Sequence, residues 1–166
     1  MRASRFLDPK VTPMSDLDRG LPTHVAWLGY GGLLPFVGLL ILTVVDPHRA
    51  PAWSDALLGY GAVILSFVGA LHWGFAMSAP RLDPTQRRRA FVWSVVPALM
   101  AWSATVLAGS AASLILVLGF ALHLIQDRRL AGPAELPSWY LPLRWRLTVV
   151  ASLCLLANAW HGVGHG

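Results

Sequence analysis

Apolar positions in this chain come in long blocks, without the alternation of a strand or the one-sided stripe of a soluble helix. A helix that crosses a bilayer needs about 20 largely apolar residues, because each adds about 1.5 Å against a hydrocarbon core about 30 Å thick. Val25 to Val45 carries no charged or histidine side chain. With Pro22-Thr23 before it and Asp46-Pro47 after it, this run predicts a helix over 24–45. A second helix runs from Ser54, read as its N-cap, to Ser78, with His72 in its interior and Ala79-Pro80 ending it. The third is announced by a capping box: Asp83 as cap, Pro84 in the first turn, Gln86 three residues on.

From Ala90 to Gln126 the one ionisable residue is His123. A single helix over that stretch would extend about 55 Å, too long for one crossing. A turn at Gly109-Ser110-Ala111 divides it into helices over 84–108 and 111–127. Pro133, Pro137 and Pro142 mark residues 128–142 as a loop, and a fifth helix follows over 143–163. The expected fold is an all-α integral membrane protein, a single bundle of five transmembrane helices. It occupies residues 23–163 between a tail, 1–22, and a short end, 164–166. The tail carries Pro9, Pro13 and Pro22 among mixed charges and has no apolar run, so no cleavable leader is expected.

Charge fixes an orientation for this bundle. The tail holds Arg2, Arg5, Lys10 and Arg19; the second connection holds Arg81, Arg87, Arg88 and Arg89; the fourth holds Arg128, Arg129, Arg144 and Arg146. Only Arg49 falls on the other side. Cytoplasmic loops concentrate Lys and Arg, so the N-terminus is expected inside and the C-terminus outside. Arg87, Arg88, Arg89 and Arg144, with Trp139 and Tyr140, are expected at the interface, against lipid headgroups.

Leu28-Gly29-Tyr30-Gly31 recurs as Leu58-Gly59-Tyr60-Gly61, and Phe36-Val37-Gly38 as Phe67-Val68-Gly69. Inverted repeats occur in transporters, but usually relate several helices per half. The plainer reading is a duplicated small-residue packing surface. It assigns helix contacts to Gly31 and Gly38 on the first helix, and to Gly59, Ala62, Ser66 and Gly69 on the second. Pro35 and Pro97 are expected to kink their helices.

Composition agrees with the membrane reading. The chain of 166 residues is 55% hydrophobic and 13% charged, where soluble domains carry about 25% charged residues. Its net charge of +5 finds its counterpart in anionic lipid headgroups, not in nucleic acid. One cysteine, Cys154, leaves no disulfide framework.

Candidate chemistry is sparse. Ionisable groups inside a membrane are the default functional suspects, and His72 and His123 qualify. Their helices run in the same direction, so the two imidazoles stand at similar depth near the inner boundary, with Asp127 one turn beyond His123 and Trp73-Gly74 beside His72. Neutral imidazoles so placed can ligate haem b, bond a quinone carbonyl or a lipid headgroup, or serve as structural hydrogen-bonding groups. His24 stands near the same boundary. On the outer side Cys154, Asn158, His161 and His165 follow a helical stripe, and His161 and His165 are weak candidates for a metal. No phosphate-binding Gly-rich loop, HExxH or Gly-x-Ser-x-Gly elbow occurs.

The stretch Leu65-Ser66-Phe67-Val68-Gly69-Ala70-Leu71-His72-Trp73-Gly74 resembles the signature of a family of small multi-pass bacterial inner-membrane proteins related to mitochondrial transmembrane protein 69. Leu28-Gly29-Tyr30-Gly31-Gly32-Leu33-Leu34-Pro35-Phe36 and Pro137-Ser138-Trp139-Tyr140 resemble it too, and the likeness covers residues 24–160. It implies a multi-pass inner-membrane protein and no particular reaction, with His72, Trp73 and Gly74 as its most specific positions. The expected role is non-enzymatic: an accessory subunit or assembly factor among other integral membrane subunits of an energy-transducing (respiratory or photosynthetic) complex. The alternatives are a haem- or quinone-binding redox module using His72 and His123, and a small lipid or metabolite carrier.

Overall fold

The computed structural model describes residues 20–107 and 109–164; the tail with Arg2, Arg5, Lys10 and Arg19, and His165, lie outside them. Among the described residues there are six helices and no strand: α1 (Thr23–Gly31), α2 (Leu34–Val45), α3 (Ala50–Ser78), α4 (Pro84–Val106), α5 (Gly109–Ala131) and α6 (Tyr140–Gly164). They make five segments long and apolar enough to cross a membrane, with α1 and α2 together forming the first. The protein is an all-α bundle of five spans. α3 is its axis and packs on α2, α4, α5 and α6, whereas α1 leans on α6. Phe36, Leu57, Leu65, Leu116, Phe120 and Leu155 fill the middle.

The first span is interrupted just before Pro35, its backbone staying in the right-handed helical region through Gly32 and Leu33. Pro35 lacks an amide proton, and its ring would press on the carbonyl of residue 31 in a continuous helix. The chain therefore steps out at Gly32-Leu33, with Leu33 bonding the Tyr30 carbonyl at 3.0 Å, and restarts as α2 with Pro35 in its first turn. The carbonyl of Gly32, freed by the break, accepts a hydrogen bond from the Tyr60 hydroxyl at 2.8 Å. Pro97, by contrast, lies inside a continuous α4.

Helix ends move by a few residues for identifiable reasons. α3 starts at Ala50, after a 3₁₀ turn over Pro47–Arg49, because Pro51 fits a first turn where the amide has no partner; Ser54 lies inside the helix and does not cap it. α4 carries the full capping box between Asp83 and Gln86. Gly109 opens α5 at φ +66°, which glycine adopts without strain, and Ser110 and Ala111 are already helical. α5 runs on to Ala131, and α6 begins at Tyr140 with Pro142 in its first turn. Residues 128–131 and 140–142 are thus helical, and the connection shrinks to 132–139.

The packing glycines are a different set from the expected stripe. A Cβ on Gly31, Gly38 or Gly59 would meet nothing, so these three do not hold the chain's own helices together. The close approaches are at Gly61, against Leu116 and Leu155, at Gly69, against Pro97, and at Gly119, against Leu65. Ala62 is buried and Ser66 half-buried, its hydroxyl turned back onto the Ala62 carbonyl at 2.9 Å. In the duplicated motif, then, Gly61 and Gly69 of the second copy face inward while Gly31 and Gly38 of the first face outward. Helices that are apolar all round give no sequence signal for which side is inner.

A Cβ at Gly69 would stand 2.8 Å from Pro97 Cβ and 3.2 Å from the Ser94 carbonyl, neither of which can swing aside. Gly69→Leu is therefore expected to lower the thermal unfolding midpoint in detergent, by the equivalent of at least about 1–3 kcal/mol of overpacking. Gly59→Leu should unfold like wild type. Equal midpoints for all three proteins would mean that α3 and α4 are not in contact there.

Candidate functional site

Six side chains from four helices meet at one end of the bundle around a single carboxylate, Asp127. The extension of α5 past residue 127 places it inside the last turns of that helix, fully buried. Its Oδ1 accepts from His72 Nε2 on α3 at 2.8 Å and from the Tyr140 hydroxyl on α6 at 3.2 Å. Its Oδ2 accepts from Arg144 Nε at 2.8 Å. His123, one turn earlier on α5, holds Nε2 3.6 Å from Oδ1. Its other ring nitrogen, Nδ1, accepts from the Trp93 indole on α4 at 3.1 Å. The two imidazoles lie 4.7 Å apart, centre to centre.

The geometry limits the chemistry. Indole N–H is only a donor, so Trp93 leaves His123 Nδ1 as the lone pair and puts the ring proton on Nε2. His72, His123 and Asp127 are the one triad among the described residues with metal-ligand spacing. A protonated Nε2 cannot ligate, however, and the Arg144 cation already occupies the carboxylate. The cluster is built as a set of donors converging on an anion. The two rings lie tilted at 4.7 Å between centres, with His72 Nε2 engaged by Asp127.

Two residues expected at the lipid interface belong to this cluster. Tyr140 and Arg144 are buried; four apart on α6, they share the helix face that meets Asp127. Arg87 also turns inward, donating to the carbonyls of Ala76 and, at 3.0 Å, Ala79, so it caps the end of α3. Trp139 is half-buried. Trp73 faces outward with its ring edge on Phe91, and Gly74 is exposed with open space around it, so neither joins His72. His24 is exposed and apart from the cluster, and His161 is half-buried near the far end of α6. Trp93 was not foreseen; its spacing to His123 crosses a turn whose geometry the sequence does not give.

The cluster separates two cavities. One, of about 700 Å³, reaches His72 from the surface between α4 and α5, and its walls include Arg88, Arg89, Gln126 and Arg129. These three arginines make no ion pair among the described residues. The other, of about 320 Å³, is mostly apolar and touches Tyr140 and Arg144.

Five apolar spans, four of them joined by a buried ionic cluster, define a multi-pass integral membrane protein. The chain belongs to the family described as Protein of unknown function (DUF3429), which matches residues 21–160 and so contains every residue of the cluster. It is 38% identical over 146 residues to transmembrane protein 69 of Xenopus tropicalis, and 30% identical over 142 residues to that of Mus musculus. Each alignment covers 82% of this chain but 54% and 56% of the relatives, so the chain spans about half their length. No solved structure matches it.

Breaking a buried ion pair strands the surviving charge, at a cost of about 3–5 kcal/mol, whereas an apolar replacement of both partners is far milder. Asp127→Ala should therefore lower the unfolding midpoint sharply, and Asp127→Leu combined with Arg144→Met should restore most of it. A single variant that melts like wild type would mean that the carboxylate is not the tie between α5 and α6.

Proposed function

We propose that this protein is a non-enzymatic helper of the inner membrane, an accessory subunit or assembly factor that packs against other integral membrane subunits. The observation that carries this reading is the set of open glycines, Gly31, Gly38 and Gly59, on the first two spans. In lipid, helices associate through close van der Waals approach, and small residues are what permit it. Within the chain Gly61 and Gly69 serve that purpose, while Gly31, Gly38 and Gly59 present small-residue surface that the chain's own helices leave open. The first span is also the least buried of the five, as befits a face reserved for another protein. The polar cluster fits the same role, because it fastens helices and presents no activated nucleophile. An energy-transducing partner complex is suggested by the resemblance to a mitochondrial relative. Anionic headgroups suit Arg88, Arg89 and Arg129.

Affinity purification from the native membrane in mild detergent should recover the protein with larger membrane proteins. Gly38→Leu, which touches nothing within the chain, should keep the fold and lose those companions. Wild-type protein running alone would defeat the helper reading.

The charge asymmetry supports an N-in, C-out orientation. A reporter active only outside the inner membrane should work when fused after Gly166 and stay silent after Ala79 or Leu130. Activity at Leu130 would reverse the assignment.

A further inference from the structure

We propose that the larger cavity, between the first turns of α4 and the last turns of α5, binds an anion bearing two phosphate groups, the chemistry of a doubly charged lipid headgroup. Eight arginines among the described residues stand at this end of the bundle, and five of them have partners within the chain. Arg81 pairs with Glu135, Arg87 caps α3, and Arg128 lies over the Trp145 ring. Arg144 pairs with Asp127, and Arg146 donates to the Tyr30 hydroxyl at 3.1 Å. The other three, Arg88, Arg89 and Arg129, pair with no carboxylate among the described residues, and all three line this one cavity. They are exposed, so their guanidinium groups are open to a ligand.

A guanidinium presents a planar fork of donors that matches phosphate oxygens, and basic pockets between membrane helices are where phosphate headgroups bind. No acidic residue lines this cavity, so its three cations are uncompensated. A single phosphodiester would offset one of them; two phosphates offset two and offer oxygens to all three. The cavity, of about 700 Å³, is large enough for such a headgroup. Thr85 and Gln86 also line it from the first turn of α4, where a helix end carries partial positive charge. Asp83 caps that turn but is not part of the cavity wall. On the inner wall the polar groups are already engaged, His72 by Asp127 and Trp93 by His123. The ligand's charge therefore belongs at the mouth, beside the arginines. Val92, one turn further along α4, lines the cavity and is 63% exposed, which gives an acyl chain an apolar surface to follow and favours a lipid over a free diphosphate. The site presupposes that anionic headgroups suit these arginines, as proposed, and is independent of any partner complex.

The test uses the full chain in a neutral detergent, with bound lipid counted by native mass spectrometry. Cardiolipin, which carries two phosphates, should be retained at one molecule per chain. Phosphatidylglycerol, with one, should bind more weakly, and phosphatidylcholine, whose phosphate is balanced by its own choline, should not be retained. Arg129→Gln should weaken cardiolipin binding about five- to tenfold, the effect of losing one cation at the headgroup. Arg128→Gln removes the same charge one residue away, outside the cavity, and should bind as wild type does. Both arginines are exposed, so both variants should fold, as their unfolding midpoints would check. An excess of inorganic pyrophosphate should leave cardiolipin in place; displacement would assign the paired phosphates to a soluble ligand. The proposal fails if phosphatidylglycerol or phosphatidylcholine binds as tightly as cardiolipin, or if the two variants weaken binding equally, the mark of diffuse surface charge. Neither failure touches the helper role, which co-purification decides.

Discussion

A carboxylate held away from water inside an apolar bundle must find its donors within the protein, and this requirement organises one end of the structure. Asp127 receives a cation from α6, an imidazole from α3 and a phenol from α6, while the second imidazole beside it is steadied by an indole from α4. Every partner has a consequence for the backbone. α5 must stay helical to Asp127 and beyond, α6 must begin early enough to present Tyr140 and Arg144 on one face, and α3 must bring His72 to the same depth. Four spans are thereby set in register by electrostatics, where apolar contacts alone would let them slide.

Apolar packing then does what the cluster cannot, closing the middle of the bundle through Gly61, Gly69 and Gly119. The repeated motif is instructive because its two copies, nearly identical in sequence, have opposite fates. One supplies contacts inside the chain. The other is interrupted at Gly32-Leu33, is caught by Tyr60, and leaves Gly31 and Gly38 in open space, with Gly29 packed on Leu143 and Leu147 of α6.

Much of this was legible in the sequence, and the exceptions have physical causes. The number of spans is dictated by bilayer thickness and could be read from run lengths and charge. The matched depth of His72, His123 and Asp127 followed from helix direction. Tyr140 was misplaced because three prolines suggested a loop over 128–142, although a proline in a first helical turn costs nothing; Arg144, already within the expected fifth helix, was assigned to headgroups for its position near that helix's end. Arg87 was assigned to lipid because arginines at helix ends usually reach outward; the bare carbonyls at the end of α3 took it instead. The glycine faces were unreadable because, in a helix surrounded by lipid and by other apolar helices, polarity does not distinguish inside from outside.

The cluster also makes the molecule mechanically lopsided. At the far end, across the same two helices, the polar contact between α5 and α6 is a 3.4 Å approach of Asn158 to the Ser113 hydroxyl. A charged knot at one end and a neutral, longer contact at the other form something like a peg with its spring at the basic side. When the surrounding bilayer thickens or thins, helices accommodate by changing tilt, and of the two polar contacts between α5 and α6 the longer, neutral one is the easier to loosen. Differences in membrane thickness therefore bear first on the end that holds Asn158 and Ser113, and last on the geometry around Asp127.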